Sequence, residues 1–274
     1  MTIVFIGDIH QHWHYVDAGL AGLPTPPRFA VLLGDIQCDR PLDDLAAPLL
    51  DRGVAVHWIH GNHDNDGGPE MWANLASPER NPLTGSGNLH ARVMDIGGVR
   101  IAGLGGTFRP HVWAPPSVPR LRHRHQLEDD LGSLGPAYGP RQRAALSHSL
   151  TTAAIWPEDI ETLASQKADI LVTHEAPSSH PSGSAVIDEL ARAMGARLIV
   201  HGHHHVTSHA RPRDASHTQS RDASHAQAGD GLTVLAVASA WGISMTGEVL
   251  WKGEKPRPLP APPGADWIVQ SIAA

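Results

Sequence analysis

Cysteine is almost absent: Cys38 is the single one in 274 residues. No intrachain disulfide can form, and a reducing cytoplasm is the expected compartment. Long apolar runs are also missing. None approaches the ~20 residues needed to cross a bilayer, so no membrane partner is expected. The chain passes from Met1 straight into Thr2-Ile3-Val4-Phe5-Ile6 with no basic segment, which reads as a strand and not as a secretory leader. Lysine is scarce, with 3 against 18 arginines, and the net charge is -7. An acidic chain is a poor non-specific ligand for phosphate backbones, so nucleic acid is not an expected partner. What the sequence has in excess is histidine, at 20 residues. Position must decide which of these are ligands.

Short apolar runs alternate with turns along the N-terminal part. Ile3–Ile6 ends in Gly7-Asp8, Phe29–Leu33 in Gly34-Asp35, and Val54–Ile59 in Gly61-Asn62-His63-Asp64. Each run is continuous rather than alternating, as in strands buried on both faces. Helical stretches are expected near Trp13–Leu20 and Pro41–Arg52, with Pro41 placed for a first turn. The steps Asp8 to Asp35 and Asp35 to Asn62 are both 27 residues, the length of one strand–helix–strand unit. Met94–Val99 reads as a hairpin turning at Gly97-Gly98. Further on, Pro157–Lys167 and Ser184–Met194 read as helices, and Ile170–Thr173, Leu198–Val200 and Leu232–Val237 as strands.

The expectation is one domain over residues 1–274, with two irregular parts. A lid-like insertion at about 107–157 holds six prolines from Pro110 to Pro140 and little periodicity. A Pro-rich tail from about residue 252 is expected to run extended over the surface. The polar tandem repeat at 213–225 reads as a surface loop.

The polar residues with chemical potential stand where the apolar runs stop. They are Asp8 and His10, Asp35, Asn62-His63-Asp64, His174 after Leu171-Val172-Thr173, and His203-His204-His205 after Ile199–Gly202. In open α/β sheets, ligand sites form at the carboxyl ends of strands. Carboxylate, imidazole and amide oxygen together suit divalent metals of intermediate hardness. Helix caps account for isolated Asp or Asn residues after a strand, but not for His174 or the spaced His203/His205 pair.

These five blocks, Gly7-Asp8-Ile9-His10, Gly34-Asp35, Gly61-Asn62-His63-Asp64, His174 and Gly202-His203-His204-His205, resemble the calcineurin-like metallophosphoesterase superfamily in residue type and order. The resemblance implies an α/β fold, a four-layer α/β/β/α sandwich of two mixed sheets. Strand–helix alternation by itself supports only α/β. It implies an enzyme with two divalent ions, Mn, Fe or Zn, acting on a small phosphorylated substrate. Asp8, His10 and His205 would hold one ion, Asn62, His174 and His203 the other, and Asp35 would bridge them. A hydroxide between the ions would attack a phosphomonoester or phosphodiester in line. His63 would protonate the leaving oxygen, with Asp64 orienting its ring.

Two other classes fit the same residues: a metal-binding scaffold without turnover, and a nuclease. Relatives resembling the Ser/Thr protein phosphatases carry Asp three residues after the bridging carboxylate. Here that place is Cys38, read as a small buried thiol. Between Thr107 and Leu150 there are six arginines against three acids, a local positive excess suited to an anionic substrate. Arg109 and His111 are the substrate-binding candidates there. Glu175 reads as support for a ligand, and His201 and His204 as non-ligands pointing away if their segment is extended.

Overall fold

A computed structural model of the chain describes residues 2–212, 231–259 and 266–272. The repeat at 213–225 lies outside the described residues.

The first sheet is built from β1 (Ile3–Ile6), β2 (Phe29–Leu33), β3 (Ala55–Ile59), β10 (Gly242–Ser244) and β11 (Val249–Trp251), in the order β11-β10-β1-β2-β3. β1, β2 and β3 run parallel, whereas β10 joins β1 antiparallel. The second sheet has the order β12-β8-β9-β7-β6-β5-β4. Its strands are β4 (Arg92–Ile96), β5 (Val99–Leu104), β6 (Ile170–Thr173), β7 (Leu198–His201), β8 (Ser208–Pro212), β9 (Thr233–Ala236) and β12 (Trp267–Ser271). β5, β6, β7 and β9 are parallel, and the edges are antiparallel. Both sheets are therefore mixed, as the resemblance implied.

The continuous apolar runs follow from the layering. In β1, Ile3 and Phe5 face the second sheet, while Val4 and Ile6 face helices. In β2, Val31 and Leu33 join the inter-sheet core, which also takes Ile101, Ile170, Val172, Val200 and Leu235. The outer face of the first sheet is covered by α1 (Trp13–Ala21), α2 (Leu42–Leu45), α3 (Ala47–Leu50) and α4 (Gly68–Ala76), through Val16, Leu20, Leu42, Leu49 and Leu75. The outer face of the second packs Leu171 and Ile199 on α7 (Pro157–Ala164) and α8 (Ala185–Met194), through Leu163, Ile187, Leu190 and Met194. Each such side chain contributes about 1.5–3 kcal/mol when fully buried. Strands buried on both faces leave no polar alternation to read.

Local chemistry sets the helix ends. The Ser184 hydroxyl accepts from Val186 N at the start of α8, and Gly195 at φ 76° ends it in the left-handed region. Pro157 opens α7, and Asp159 accepts from Trp156 N at 3.0 Å.

One expectation needs correction. The 107–157 segment is not irregular throughout. It forms α5 (Leu127–Gly132) and α6 (Pro140–Ala153). Val112, Leu121, Leu127, Leu131, Leu150 and Trp156 give it an apolar cluster of its own. Pro140 sits at the first position of α6 and starts the helix rather than breaking it. The Pro-rich tail forms no helix or strand over 252–259. Past its prolines, β12 pairs antiparallel with β8 from Trp267↔Pro212 to Ser271↔Ser208, and Trp267 and Val269 close the outer core.

Candidate metal centre

The carboxyl ends of β1, β2, β3, β6 and β7 meet at one end of the sandwich, and each delivers part of a polar cluster. Asp8, His10 and His205 bring ligand atoms within 4.8 Å of one another, and so do Asp35, His174 and His203. Asp35 stands between the triads: its Oδ2 is 3.3 Å from His174 Nε2 and 3.8 Å from His10 Nε2. Asn62 Oδ1 lies 3.1 Å from His174 Nε2. All seven sequence-expected metal ligands, Asp8, His10, Asp35, Asn62, His174, His203 and His205, therefore fall in one place.

The backbone is bent sharply to bring them there. His10 (φ 45°), Asp35 (φ 50°), His203 (φ 69°) and His205 (φ 55°) all occupy the left-handed region, which costs non-glycine residues about 1 kcal/mol or more each. Such strain concentrated on candidate ligands is typical of a functional site. The chain is extended through His201 in β7 and turns after it. His203 and His205 reach the cluster through turns. His204 belongs to a separate group: its Nε2 is 3.8 Å from Glu175, its ring stacks on His180 at 3.7 Å, and its ligand atom comes within 4.8 Å of those of Glu175 and His203. Gly34 must be glycine, since a Cβ there would lie 2.6 Å from both Gly61 N and His174 Nδ1 at φ +92°.

Outer partners fix the ring tautomers. His10 Nδ1 donates to Gln37 Oε1 at 3.0 Å, and His174 Nδ1 donates to the Leu33 carbonyl at 2.8 Å. Ser239 Oγ is 2.9 Å from His205 Nδ1. In the neutral rings, the Nε2 lone pairs of His10 and His174 then face inward, as metal-binding imidazoles require. His10 Nε2 and His205 Nε2 face each other at 3.1 Å. Asp8 accepts His203 N through both oxygens, at 2.9 and 3.0 Å.

The electrostatics ask for a cation. Burial pushes the Asp8 carboxyl up to about 7, with the nearby Asp35 charge adding to the rise. Asp35 is held below the usual range because the His174 charge outweighs its burial. Burial lowers His174, but Asp35 and Asp8 more than reverse this and lift it to about 10. Asp35 Oδ2 is buried with no hydrogen-bond partner, an unmet acceptor of the kind a metal ion satisfies. The donor set of Asp, His and Asn oxygen suits a divalent transition metal.

The expected catalytic pair needs one correction. Asp64 does not orient His63. Its two oxygens accept Gln37 N and Gly61 N, each at 2.7 Å, and so tie the Asp35 loop to the Asn62 loop. The carboxylate on His63 is Asp66, at 2.6 Å from Nδ1. The chain turns after Asp64, and that turn brings residue 66 back under the imidazole. The His63 ring lies edge-on to His10, 5.7 Å between centroids, while His63 N donates to Asp35 Oδ1 at 2.8 Å.

Arg109 follows β5, and its Nε is buried without a partner. Its charge is felt at Glu175. His111 sits apart, with Nε2 2.7 Å from Asp130, whose other oxygen is held by Arg120. That pairing stabilises the insertion instead of presenting an imidazole to the centre. Cys38 is buried in the core beneath the first sheet, as read from sequence, and burial raises its thiol. Sequence reasoning missed Gln37, Asp66 and Ser239. Gln37 and Asp66 stand two and three residues after singled-out positions, so scanning each loop for carboxamides and carboxylates would have found them.

The chain resembles known proteins in sequence and in fold. The calcineurin-like phosphoesterase profile matches residues 1–207. The chain is 36% identical to an uncharacterised protein of Haemophilus influenzae over 214 residues, 74% of this chain and 83% of that protein. Among solved structures, it is similar to the phosphopantetheinyl hydrolase of Mycobacterium tuberculosis, at 16% identity and TM-score 0.42, covering 87% of this chain and 90% of that one. It is also similar to GAP50, the anchor in the inner membrane complex of Plasmodium, at 10% identity and TM-score 0.40, covering 88% and 72%. No helix among the described residues is long and apolar enough to cross a membrane. With ligand triads at the strand ends and the family profile spanning residues 1–207, the chain belongs to the calcineurin-like phosphoesterases, metal-dependent hydrolases of ester bonds.

Proposed function

We propose that this protein hydrolyses small phosphomonoesters or phosphodiesters with two divalent metal ions, Mn, Fe or Zn. The observation that carries the reading is the position of Asp35, whose unpartnered Oδ2 faces a histidine of each triad at 3.3 and 3.8 Å. Asp8, His10 and His205 would hold one ion and Asn62, His174 and His203 the other, with Asp35 reaching both. Bound there, the pair would supply Lewis-acid polarisation of the phosphoryl oxygens and an activated water near neutral pH.

The rest of the work falls to the chain. Gln37, Ser239 and the Leu33 carbonyl hold the imidazoles in register. Asp64 locks together the loops that carry Asp35 and Asn62. His63, half exposed and beside His10, is placed to give a proton from Nε2 to the departing oxygen, with Nδ1 held by Asp66. Arg109 would neutralise a non-bridging phosphate oxygen. The 107–157 segment would act as the wall or lid of the substrate site.

The test is hydrolysis of p-nitrophenyl phosphate and bis-p-nitrophenyl phosphate by purified protein loaded with Mn, Fe or Zn. Turnover of both esters lost in Asp35→Asn, and turnover of an alkyl phosphate lost in His63→Ala while that variant keeps its metal, supports the reading. Full metal loading without turnover of either ester overturns it.

A further inference from the structure

Glu175 and His204 have no part in the proposed reaction, yet they meet at one place beside the second triad. Glu175 follows β6, next to His174, and His204 follows β7, between His203 and His205. The ligand atoms of Glu175, His203 and His204 lie within 4.8 Å of one another. Glu175 is buried, and the two histidines are half-buried.

Both side chains are held in place. Glu175 Oε1 accepts Ala176 N at 3.0 Å, and Oε2 accepts Phe108 N at 3.4 Å. Thr173 Oγ1 donates to the Glu175 carbonyl at 2.7 Å. A carboxylate has about four lone-pair sites, so these two donors leave it able to accept more. Arg109 also acts on Glu175, but less than burial, the two backbone donors and His174 do. The His204 ring stacks on His180, 3.7 Å between centroids and 11° from parallel, and tilts against His203 at 4.6 Å.

What the imidazole lacks is a partner. His204 Nε2 is buried and makes no hydrogen bond among the described residues. It lies 3.8 Å from Glu175 Oε1, beyond the roughly 2.7–3.2 Å of an N–H···O bond. A buried ring nitrogen left in this state is rare in folded proteins. An ion bonded to both atoms at roughly 2.1 Å holds them about 3.4 Å apart at the tetrahedral angle. The observed gap thus admits an ion after closing by a few tenths of an ångström. His180 does not compete for it. Its Nδ1 accepts Ser182 N at 3.2 Å, so the neutral ring carries its proton on Nε2 and has no free lone pair.

We propose that Glu175 and His204, with His203 beside them, form a third cation site that takes zinc. Imidazole and carboxylate are zinc ligands, and water completes such a shell. Manganese binds the same donors more weakly. His203 also belongs to the second triad, so the new site has Glu175 and His204 to itself and fills after the main centre. Its occupancy does not depend on turnover of any ester.

The experiment dialyses wild type, His204→Ala, Glu175→Gln and His180→Phe against one zinc buffer and measures zinc per chain by elemental analysis. Zinc in wild-type crystals is located by anomalous scattering at its absorption edge. Wild type should hold one equivalent more than His204→Ala or Glu175→Gln, with a zinc peak between Glu175 and His204. His180→Phe, which keeps a ring against His204, should match wild type. Equal zinc in wild type and either ligand variant overturns the proposal, and so does the absence of that peak. Loss of more than one equivalent in His204→Ala overturns it too, by marking His204 as a support of the main centre, as does an equal loss in His180→Phe, which would mark packing alone. Two ions in the triads and none here would sink this site alone. Zinc here beside empty triads would sink the phosphoesterase reading alone.

Discussion

His63 Nδ1 lies 2.6 Å from Asp66 Oδ2, a carboxylate three residues further along the same loop. The place three residues after Asp35 is taken by Cys38, buried and without charge to offer. The imidazole next to the metal centre is thus oriented from its own loop and not from the β2 loop. In Asp66→Asn, turnover of alkyl phosphates, whose leaving groups need a proton, is expected to fall about tenfold to a hundredfold. Turnover of p-nitrophenyl phosphate should change little. The double variant with His63→Ala should be no slower than His63→Ala alone, because the carboxylate acts through the ring.

Asp35→Asn removes one of the two charges that face His174 and leaves an amide between the triads. Retention of the second metal equivalent should weaken by about a hundredfold or more, read by elemental analysis after dialysis. Ser239→Ala, which removes the partner of His205 Nδ1 at 2.9 Å, should weaken retention by about tenfold.

The pH dependence follows from the proton that stands in for a cation. In metal-free protein His174 is lifted to about 10 and Asp8 to about 7, both above their unfolded values. A group raised in the folded state stabilises fully below its unfolded value, and that contribution is lost as pH rises through the folded value. Asp35, lowered in the folded state, works the other way and only in acid. The Tm of chelator-treated protein should therefore fall from pH 6 to pH 9, and added Mn should raise Tm more at pH 8 than at pH 6. A metal-induced shift that shrinks with rising pH would contradict the account.

Gly34 stands at φ +92° with Gly61 N and His174 Nδ1 both 2.6 Å from where a Cβ would be. Gly34→Ala should destabilise by about 3 kcal/mol or more, measured by urea unfolding, and should lower metal retention because His174 must move. Gly53→Ala, at φ +73° with nothing within 4 Å of its Cβ, should cost only about 1 kcal/mol and leave metal retention intact.

The parts of the fold legible in sequence were those where a strand and its ligands are contiguous. β1 with Asp8 and His10, β2 with Asp35, β3 with Asn62, and β7 with His203 and His205 each carry strand, turn and donor within one short segment. The doubly buried strands announced themselves as unbroken runs, because both faces meet apolar partners. What escaped depends on distant pairing or on loop geometry. β10 and β11 have 3 residues each, too few to show a period. β12 needs β8 to exist as a strand, across a long and polar intervening sequence. α6 carries its apolar residues sparsely, with Leu146 and Leu150 on the face toward the insertion's own cluster, and the prolines that precede it in the insertion masked it. Asp66 was passed over in favour of Asp64, since only the turn after Asp64 decides which carboxylate meets the ring.

The most direct test strips the protein of metal and titrates Mn back while following p-nitrophenyl phosphate hydrolysis against bound equivalents. Activity is expected to be nil without metal, to rise to a plateau at two equivalents per chain, and to be lost in Asp35→Asn at any loading. Full activity at one equivalent, or turnover that survives in Asp35→Asn, would contradict the two-ion account.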